Sequence, residues 1–524
     1  MYWRLHLSMF AGVMLLTGCA SLDSSPKIEE AMDLAEAYTG QRPDWMAPWN
    51  EEAPTWKDGP VMTLADAVFT ALRENRSLRA DLEMIGQANA DLVQAGLLSN
   101  PVINFMMMFP SGGGRSMLRS SALPMQPLAD LWLIPARTKL AKAQLQEAIL
   151  RVADRAVETA AEAKKNYAEI QYAQRAVELI RANMELVEQS TSIIEIRQAS
   201  GQASQVEVNL SRIRHDRLRS DLLAKQAGLQ EKKHALLAMM GHAEASVDWR
   251  VEHEDEKTAP AEAPPSEERI VLLASEQRLD LRALQWTTEA ALRRIKLSRR
   301  EGWPELAVGF TFERSPAPRS AGPSAGARAF DAAAGGLERG LSGETAMPSL
   351  PRLSPRARPP RDIKYTLGPM IEMEVPIFDW NQAQTAKALH EYQQRLAEYD
   401  DLLQSVVRDV RQMLTRQAEA HDQLALYREV ILPQVERNLE LARQTYVAGM
   451  TDITIYLRAQ EDVIDTRDKL AEFLREYRRS VAELERAVGG ELRLTDGSQP
   501  DQAEAQARTP QPRATERQEV TYDR

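Results

Sequence analysis

The chain has 524 residues and a formal net charge of −11, with 27% charged and only 6% aromatic residues. The acidic balance gives no electrostatic reason to bind nucleic acid, which calls for a basic surface. Ala, Leu, Glu, Gln and Arg dominate the middle of the sequence, a composition of long helices rather than of one large globular core.

At the N-terminus Arg4 and His6 precede an apolar run, Leu7 to Leu16, followed by small residues. That order is an export signal, and the run is too short to span a bilayer permanently. Cys19 is the only cysteine, so neither an intramolecular disulfide nor a thiolate metal site is possible. Leu16-Thr17-Gly18-Cys19 resembles the lipobox of bacterial lipoproteins. The resemblance implies removal of residues 1–18 and acylation of Cys19, and Ala20 after it points to the outer membrane. Residues 19–62 then form a lipid-anchored tether, in which Trp45, Trp49 and Trp56 either pin the chain to the helical surface or anchor it at the membrane interface. Beyond the signal no apolar run reaches eighteen residues, so a membrane crossing would have to be made of strands closed into a barrel.

The rest of the chain is written twice. The first repeat, 63–245, begins with a helix from Thr63 to Ser99 and passes through Asn100-Pro101 into a strand, VINFMMMF. A second extended stretch, LADLWLIP, leads into a very long helix from about Ala136, which breaks at RQASGQASQVEV before a further helix. An acidic, Pro-containing linker covers 246–266. The second repeat, 267–489, offers a helix from Ser266 to Arg300, the strands ELAVGFTFE and TLGPMIEMEVPIF, a very long helix from near Asn381, a break at TYVAGMTDITIYL and a last helix. Pro101 and Gly201 stand 100 residues apart and Pro304 and Gly449 145 apart; the surplus falls on a Pro-, Gly- and Arg-rich insert, 315–361, which reads as a disordered outer loop. The polar tail, 490–524, reads the same way.

The helices carry apolar residues at alternating steps of three and four. Ile170, Ala173, Val177, Ile180, Met184, Val187, Thr191 and Ile194 form one such seam, and Ile453 to Val488 another, broken only by Gln460 and Arg467, the pattern of coiled-coil packing. The strands alternate instead: Leu306, Val308, Phe310 and Phe312 share one face, as do Ile371, Met373 and Val375, while Glu372 and Glu374 fall on the other. Apolar outward and polar inward is the pattern of a transmembrane barrel, with the first seven facing lipid and the two glutamates facing the lumen. Four strands cannot close such a barrel, which needs about eight, so the chains must pool them. A lipid-anchored periplasmic coiled-coil scaffold without a pore would explain the seams equally well, but not the strands.

At this point the chain resembles the TolC-type outer membrane efflux factors of the lipoprotein branch. The likeness is carried by the lipobox at Cys19, TLADAVFTALRENRSLRA, ADLVQAGLLSNP, EVPIFDWNQAQTAKA and YVAGMTDITIYLRAQ. It implies a mostly helical fold, a long coiled-coil α-barrel completed by a β-barrel, with a homotrimer supplying 12 strands. It also implies a passive exit duct that meets outer membrane lipid, a periplasmic adaptor (membrane fusion protein) and an inner-membrane efflux transporter. Gly201 and Gly449 suit tight helix-to-helix turns, and Ser204 and Thr451 or Asp452 are placed to cap the helices that follow. Gly201, Val206, Gly449, Ile453 and Leu457 are thereby assigned to adaptor docking or gating. Some relatives constrict the tunnel with aspartates six and nine residues after the second of these glycines; Ile455 and Arg458 stand there instead. Nothing assembles a catalytic set or a cofactor site: there is no GxSxG or phosphate loop, and His215, His234 and His242 read as solvated helix positions. Met106, Met107 and Met108 are consecutive on a strand, point to alternate faces and cannot converge on one ion within a chain, so they read as barrel wall.

Overall fold

The computed structural model of the protein describes residues 22–47, 61–109, 118–252, 266–317 and 362–490. Cys19, Trp49, Trp56, most of the acidic linker and of the Pro/Gly-rich insert, and the tail beyond Gly490 lie outside them. The first half comprises α1 (Ser25–Thr39), β1 (Val61–Met62), α2 (Leu64–Glu74), α3 (Arg76–Gly96), β2 (Val102–Met108), β3 (Arg119–Pro127), α4 (Asp130–Ala199), α5 (Gln205–Met239) and β4 (Arg250–Val251). The second comprises α6 (Glu267–Gln277), α7 (Leu279–Glu301), β5 (Glu305–Ala317), β6 (Asp362–Glu374), α8 (Gln382–Leu426), a π turn (Tyr427–Ile431), α9 (Leu432–Val447) and α10 (Ile453–Val488). The π turn lies just before Pro433, which has no N–H to continue an ordinary helical ladder.

Each half therefore follows the order expected, with one correction common to both: the helix before the strands is two helices. Asn75 breaks the first and Arg278 the second, each with an extended backbone. The reason is tertiary. Asn75 caps α3 by accepting from the Leu78 N–H at 2.9 Å and donates its Nδ2 to the carbonyl of Met239 at 2.9 Å. Arg278 donates Nη1 to the carbonyl of Ala487 at 3.4 Å. Each break thus satisfies a carbonyl at the end of its own half's last helix, groups that a helix leaves orphaned. Immediately after those ends, Gly241 and Gly489 take left-handed φ of 86° and 103°.

LADLWLIP is also corrected: it opens α4 rather than forming a strand. Ala129, Leu133 and Ala136 are buried at steps of four and three, a helical period, while Leu131 between them is exposed. Buried Asp130 holds the helix start against the preceding segment, accepting from the Ser99 N–H at 2.6 Å and the Ser99 hydroxyl at 3.2 Å. The strand lies earlier, over RSSALPMQP, where the sequence is too polar to signal it. Its pairing with β5 skips Leu123 and Pro124, the latter having no N–H to give. In the second half β6 ends at Glu374, so the VPIF of its expected strand lies beyond it.

The chain divides into two units. One comprises the chain up to Gln94, Lys139–Arg294 and the chain from Ala388 onward; the other comprises Ala95–Thr138 and Ile295–Lys387. The first is helical, with a core that joins Met32 and Trp45 to Leu72, Leu78, Ile85, Leu145, Ile149, Ile170, Leu236 and Met240. Trp45 donates its indole N–H to the carbonyl of Leu72 at 2.8 Å, so this one of the three tryptophans does tie the N-terminal segment to the helices. An unforeseen two-stranded parallel ladder, β1 with β4, sits in the same core, and Tyr167 donates its hydroxyl to the Met62 carbonyl at 2.9 Å. In the α4 seam Ile170, Ala173, Val177, Val187 and Ile194 are buried. The second unit holds a four-stranded antiparallel sheet of order β2-β3-β5-β6.

A Cβ at Gly241 would stand 2.5 Å from the Glu74 carbonyl oxygen, at a φ that side chains rarely adopt, whereas nothing lies within 4 Å of one at Gly228 inside α5. Gly241→Ala is expected to lower stability by about 2 kcal/mol or more. Gly228→Ala should raise it by about 0.5–1 kcal/mol. Denaturant unfolding of both variants in one detergent, followed by circular dichroism, checks the pair.

Candidate functional site

Two surfaces deserve the name: the faces of the sheet and the ends of the long helices. Register decides which side chains share a face of the sheet, because residues directly opposite in an antiparallel pair point the same way. Leu306 faces Met373, Val308 faces Ile371, Phe310 faces Pro369 and Phe312 faces Leu367. The same row continues through Ala122, opposite both Phe312 and Phe105. One face therefore carries apolar side chains across all four strands, and Phe105, Phe310 and Ile371 on it are 65%, 60% and 71% exposed. The stacked rings of Phe312 and Tyr365, 5.9 Å apart, stand near its end. The other face carries Thr311, Glu313, Thr366, Glu372 and Glu374, all on the side opposite the apolar set. Val375 is exposed one residue past the end of β6. Met107 joins the apolar face while Met106 and Met108 fall on the other. Among the described residues β2 and β6 each have one edge without a strand partner.

At the helix ends the two halves use the same turn. Gly201 and Gly449 have φ of 74° and 73°; the N–H of Gln202 reaches back to the Arg197 carbonyl at 2.8 Å, and that of Met450 to the Thr445 carbonyl at 2.9 Å. These are six-to-one bonds closing a helix on a left-handed glycine. Three residues after each glycine comes the cap of the next helix. Ser204 makes a full capping box with Glu207, and Asp452, rather than Thr451, accepts from the Thr454 N–H at 3.4 Å.

Behind the turns α4, α5, α9 and α10 share a small core of Ile194, Val208, Ala442, Tyr446, Ile453, Tyr456 and Ala459, with Leu457 half-buried against it. Of the five tip residues assigned from the sequence, Gly201, Val206 and Gly449 are exposed, whereas Ile453 is buried in this core. A polar network unforeseen from the sequence lies within it. Arg197 spreads over the Tyr446 ring, 4.4 Å from its centroid, and donates to the Tyr446 carbonyl. Tyr446 stacks on Tyr456 at 5.7 Å, and Ser190 Oγ accepts from Gln460 Nε2 at 2.6 Å with the Tyr456 hydroxyl 3.3 Å away. Gln460 interrupts the α10 seam in sequence, and that interruption was the one legible sign of the network.

A cleft of about 420 Å³ opens between α3, α4, α7 and α8, lined in part by Asp81, Arg155, Glu158 and Asp280. Asp154, which also lines it, has no hydrogen bond or ion pair within the described chain. Burial, then the neighbouring Asp280 carboxylate, push its carboxyl up to about 6. Among the described residues no group of His, Cys, Asp and Glu is arranged to hold a metal ion. No described helix is long and apolar enough to cross a membrane.

Long helices paired through glycine turns, together with a four-stranded antiparallel sheet with one apolar face, are the elements of a TolC-like fold. Residues 271–490 match the family model described as outer membrane efflux protein. Among solved structures the chain is similar to a membrane protein from Pseudomonas aeruginosa, with 19% identity and a TM-score of 0.63 over 81% of this chain and 92% of that one. It is likewise similar to the Campylobacter jejuni CmeC outer membrane channel, with 13% identity and a TM-score of 0.62 over 88% and 94%. The outer membrane protein VceC from Vibrio cholerae aligns at 16% identity and a TM-score of 0.60 over 82% and 96%. No curated protein matches at a significant level. The resemblance to TolC-type efflux factors thus extends to the whole fold.

Two outcomes follow from the side chains. Arg197→Ala should destabilise the helix ends by about 1–2 kcal/mol, read as faster amide exchange confined to residues around 190–210 and 440–460. Asp154 is held in the fold with a carboxyl raised from 3.8 to about 6, so the native state binds its proton more tightly than the unfolded chain. Its ionised form therefore costs stability above pH 6, and the cost fades as the pH falls towards 4. Asp154→Asn should raise the melting temperature at pH 7.5 by removing about 1–2 kcal/mol of penalty, with no gain left at pH 4.

Proposed function

We propose that the chain is the exit duct of a tripartite efflux pump: a passive outer-membrane channel, anchored by an acylated Cys19, that conducts substrates outward from the periplasm and catalyses no reaction. The observation that carries the reading is the sheet, with an exposed apolar face on one side, glutamates and threonines on the other, and two edges unpartnered among the described residues. In lipid an unpaired backbone group costs several kcal/mol, so four strands are unstable there until other copies pair with β2 and β6. A homotrimer does this, with Leu306, Val308, Phe310, Phe312, Ile371, Met373 and Val375 towards lipid and Glu372 and Glu374 towards the lumen. The chain's role in a pump rests on the family match of its second half and on the likeness to outer membrane channels.

The helix ends are the docking and gating region for a periplasmic adaptor, which links the duct to an inner-membrane transporter. Exposed Gly201, Val206 and Gly449 form the outer surface there, while Ile453 and Leu457 support it from within. The domain reading follows: signal 1–18, tether 19–62, and repeats 63–245 and 267–489 flanking the linker; of the insert expected at 315–361, Ser315 to Ala317 belong instead to β5, paired with β6. A pore-free scaffold would have no use for the apolar sheet face.

Planar bilayers test the duct: purified protein should form heat-resistant trimers and give ion conductance, and its failure to conduct would sink the proposal. Gly449→Val forces a branched side chain into a left-handed φ with open space around it, a cost of about 1–2 kcal/mol confined to the turn. Trimers and conductance should survive while export and adaptor cross-linking fall; normal export would remove the helix ends from the docking role. Cys19→Ser should abolish lipid labelling and signal processing, leaving reduced yield with residual export.

A further inference from the structure

All four connections between the sheet and its helices leave the same end of the sheet, because Val102 lies opposite Met125 and Glu305 opposite Glu374. Large apolar side chains collect at that end and are open to solvent: Leu98 is 64% exposed, Trp303 59%, Trp380 66% and Phe378 92%. They are held there by design. Asn381, the only non-glycine residue at positive φ among those described, donates Nδ2 to the Ser298 carbonyl at 2.8 Å. A Cβ at Gly302 would press on the Trp380 carbonyl, so glycine lets the two segments close up. The Trp132 and Trp303 rings lie 6.3 Å apart.

Beside these rings runs a basic strip. The stretch Arg293–Arg300, RRIKLSRR, has five cations and no acid in a chain whose net charge is −11. Lys296, Arg299 and Arg300 are exposed, and with Trp303 they recur at steps of three and four, on one side of α7 and its end. Arg300 donates to the Trp132 carbonyl at 3.2 Å, while Lys296 and Arg299 have no ion-pair partner within the described chain. The nearest acids in sequence are engaged: Glu301 accepts from Asn381 Nδ2 at 3.5 Å and Asp379 from the Asn381 N–H at 2.8 Å. From Trp303 to Phe312 the chain rises about 30 Å along the strand, or about 23 Å along the normal at a tilt near 40°, close to the apolar band of a membrane barrel. The cations thus stand just outside one edge of that band, where lipid phosphates lie.

We propose that Lys296, Arg299 and Arg300, with Trp132, Trp303 and Trp380, form a binding collar for anionic phospholipid headgroups on the periplasmic side of the outer membrane, an assignment that rests on the duct reading. Tryptophan supplies an amphipathic ring for the interface and the cations supply charge complementarity. The test offers full-length trimers equal amounts of phosphatidylglycerol and phosphatidylcholine in detergent and counts retained lipids by native mass spectrometry. Wild type should retain phosphatidylglycerol preferentially, and the triple variant K296Q/R299Q/R300Q should lose about fivefold of that preference per cation removed, while still forming trimers that conduct. Equal retention of the two lipids by wild type, or an unchanged preference in the variant, overturns the collar. Should the variant fail to assemble, tryptophan quenching of wild type in vesicles decides: brominated phosphatidylglycerol should quench more than brominated phosphatidylcholine, and equal quenching overturns the proposal. Wild-type trimers that select phosphatidylglycerol yet do not conduct would overturn the duct reading alone.

Discussion

The backbone hydrogen bonds of two strand edges govern the rest of this molecule. An edge in water can bond to solvent; an edge in hydrocarbon cannot, and each orphaned group there costs several kcal/mol. One face of the sheet is apolar and exposed, and among the described residues β2 and β6 each have an edge with no strand beside it. On the duct reading proposed above, the sheet is a fraction of a barrel that other copies complete. That reading accounts for the large apolar residues exposed on the sheet, which lipid and other copies would cover in place of the chain's own core.

The helical unit solves a different problem, that of holding long helices together with few aromatic residues. Its seams use Ala, Val, Leu and Ile at three- and four-residue steps, which lets helices approach closely along their length. Where two helices end near each other the duplication repeats one device. A residue that leaves the helix, Asn75 or Arg278, donates to a carbonyl at the end of the half's last helix, and a left-handed glycine follows that end. Different side chains do the same work in the two halves. What the repeats share at this point is the geometry of orphaned carbonyls, not a sequence motif.

That distinction decides how much was legible beforehand. Element order, the four-strand count, the long helices and both glycine turns could be read, because each follows from a local period or a local backbone need. The breaks at Asn75 and Arg278 could not, since arginine is an ordinary helix former and only a distant carbonyl gives it reason to leave. Strand β3 was misplaced for a similar cause: RSSALPMQP has no alternation strong enough to announce a strand, and its neighbours on both sides hold it in the sheet. LADLWLIP looked like a strand because its leucines and tryptophan are dense, yet its buried positions follow a helical step. For the site, the shared apolar face of β5 and β6 was visible from alternation alone. The aromatic and basic collar was not, because its members come from three junctions that only the topology brings to one end.

The two ends of the α4–α5 and α9–α10 pairs differ in how they are stabilised, and the difference bears on which can move. The core around Ile149 and Leu236 is apolar, and such burial is lost only by opening the packing altogether. The core behind Gly201 and Gly449 is smaller and threaded with polar groups. Three buried atoms in it, Tyr446 Oη, Arg197 Nε and Gln460 Oε1, have no hydrogen-bond partner among the described residues. Each such group costs about 1–3 kcal/mol, so this end is held less firmly than the apolar core and has donors and acceptors in reserve. At the turns themselves nothing lies within 4 Å of a Cβ added at Gly201 or Gly449, so this end is also the more open of the two.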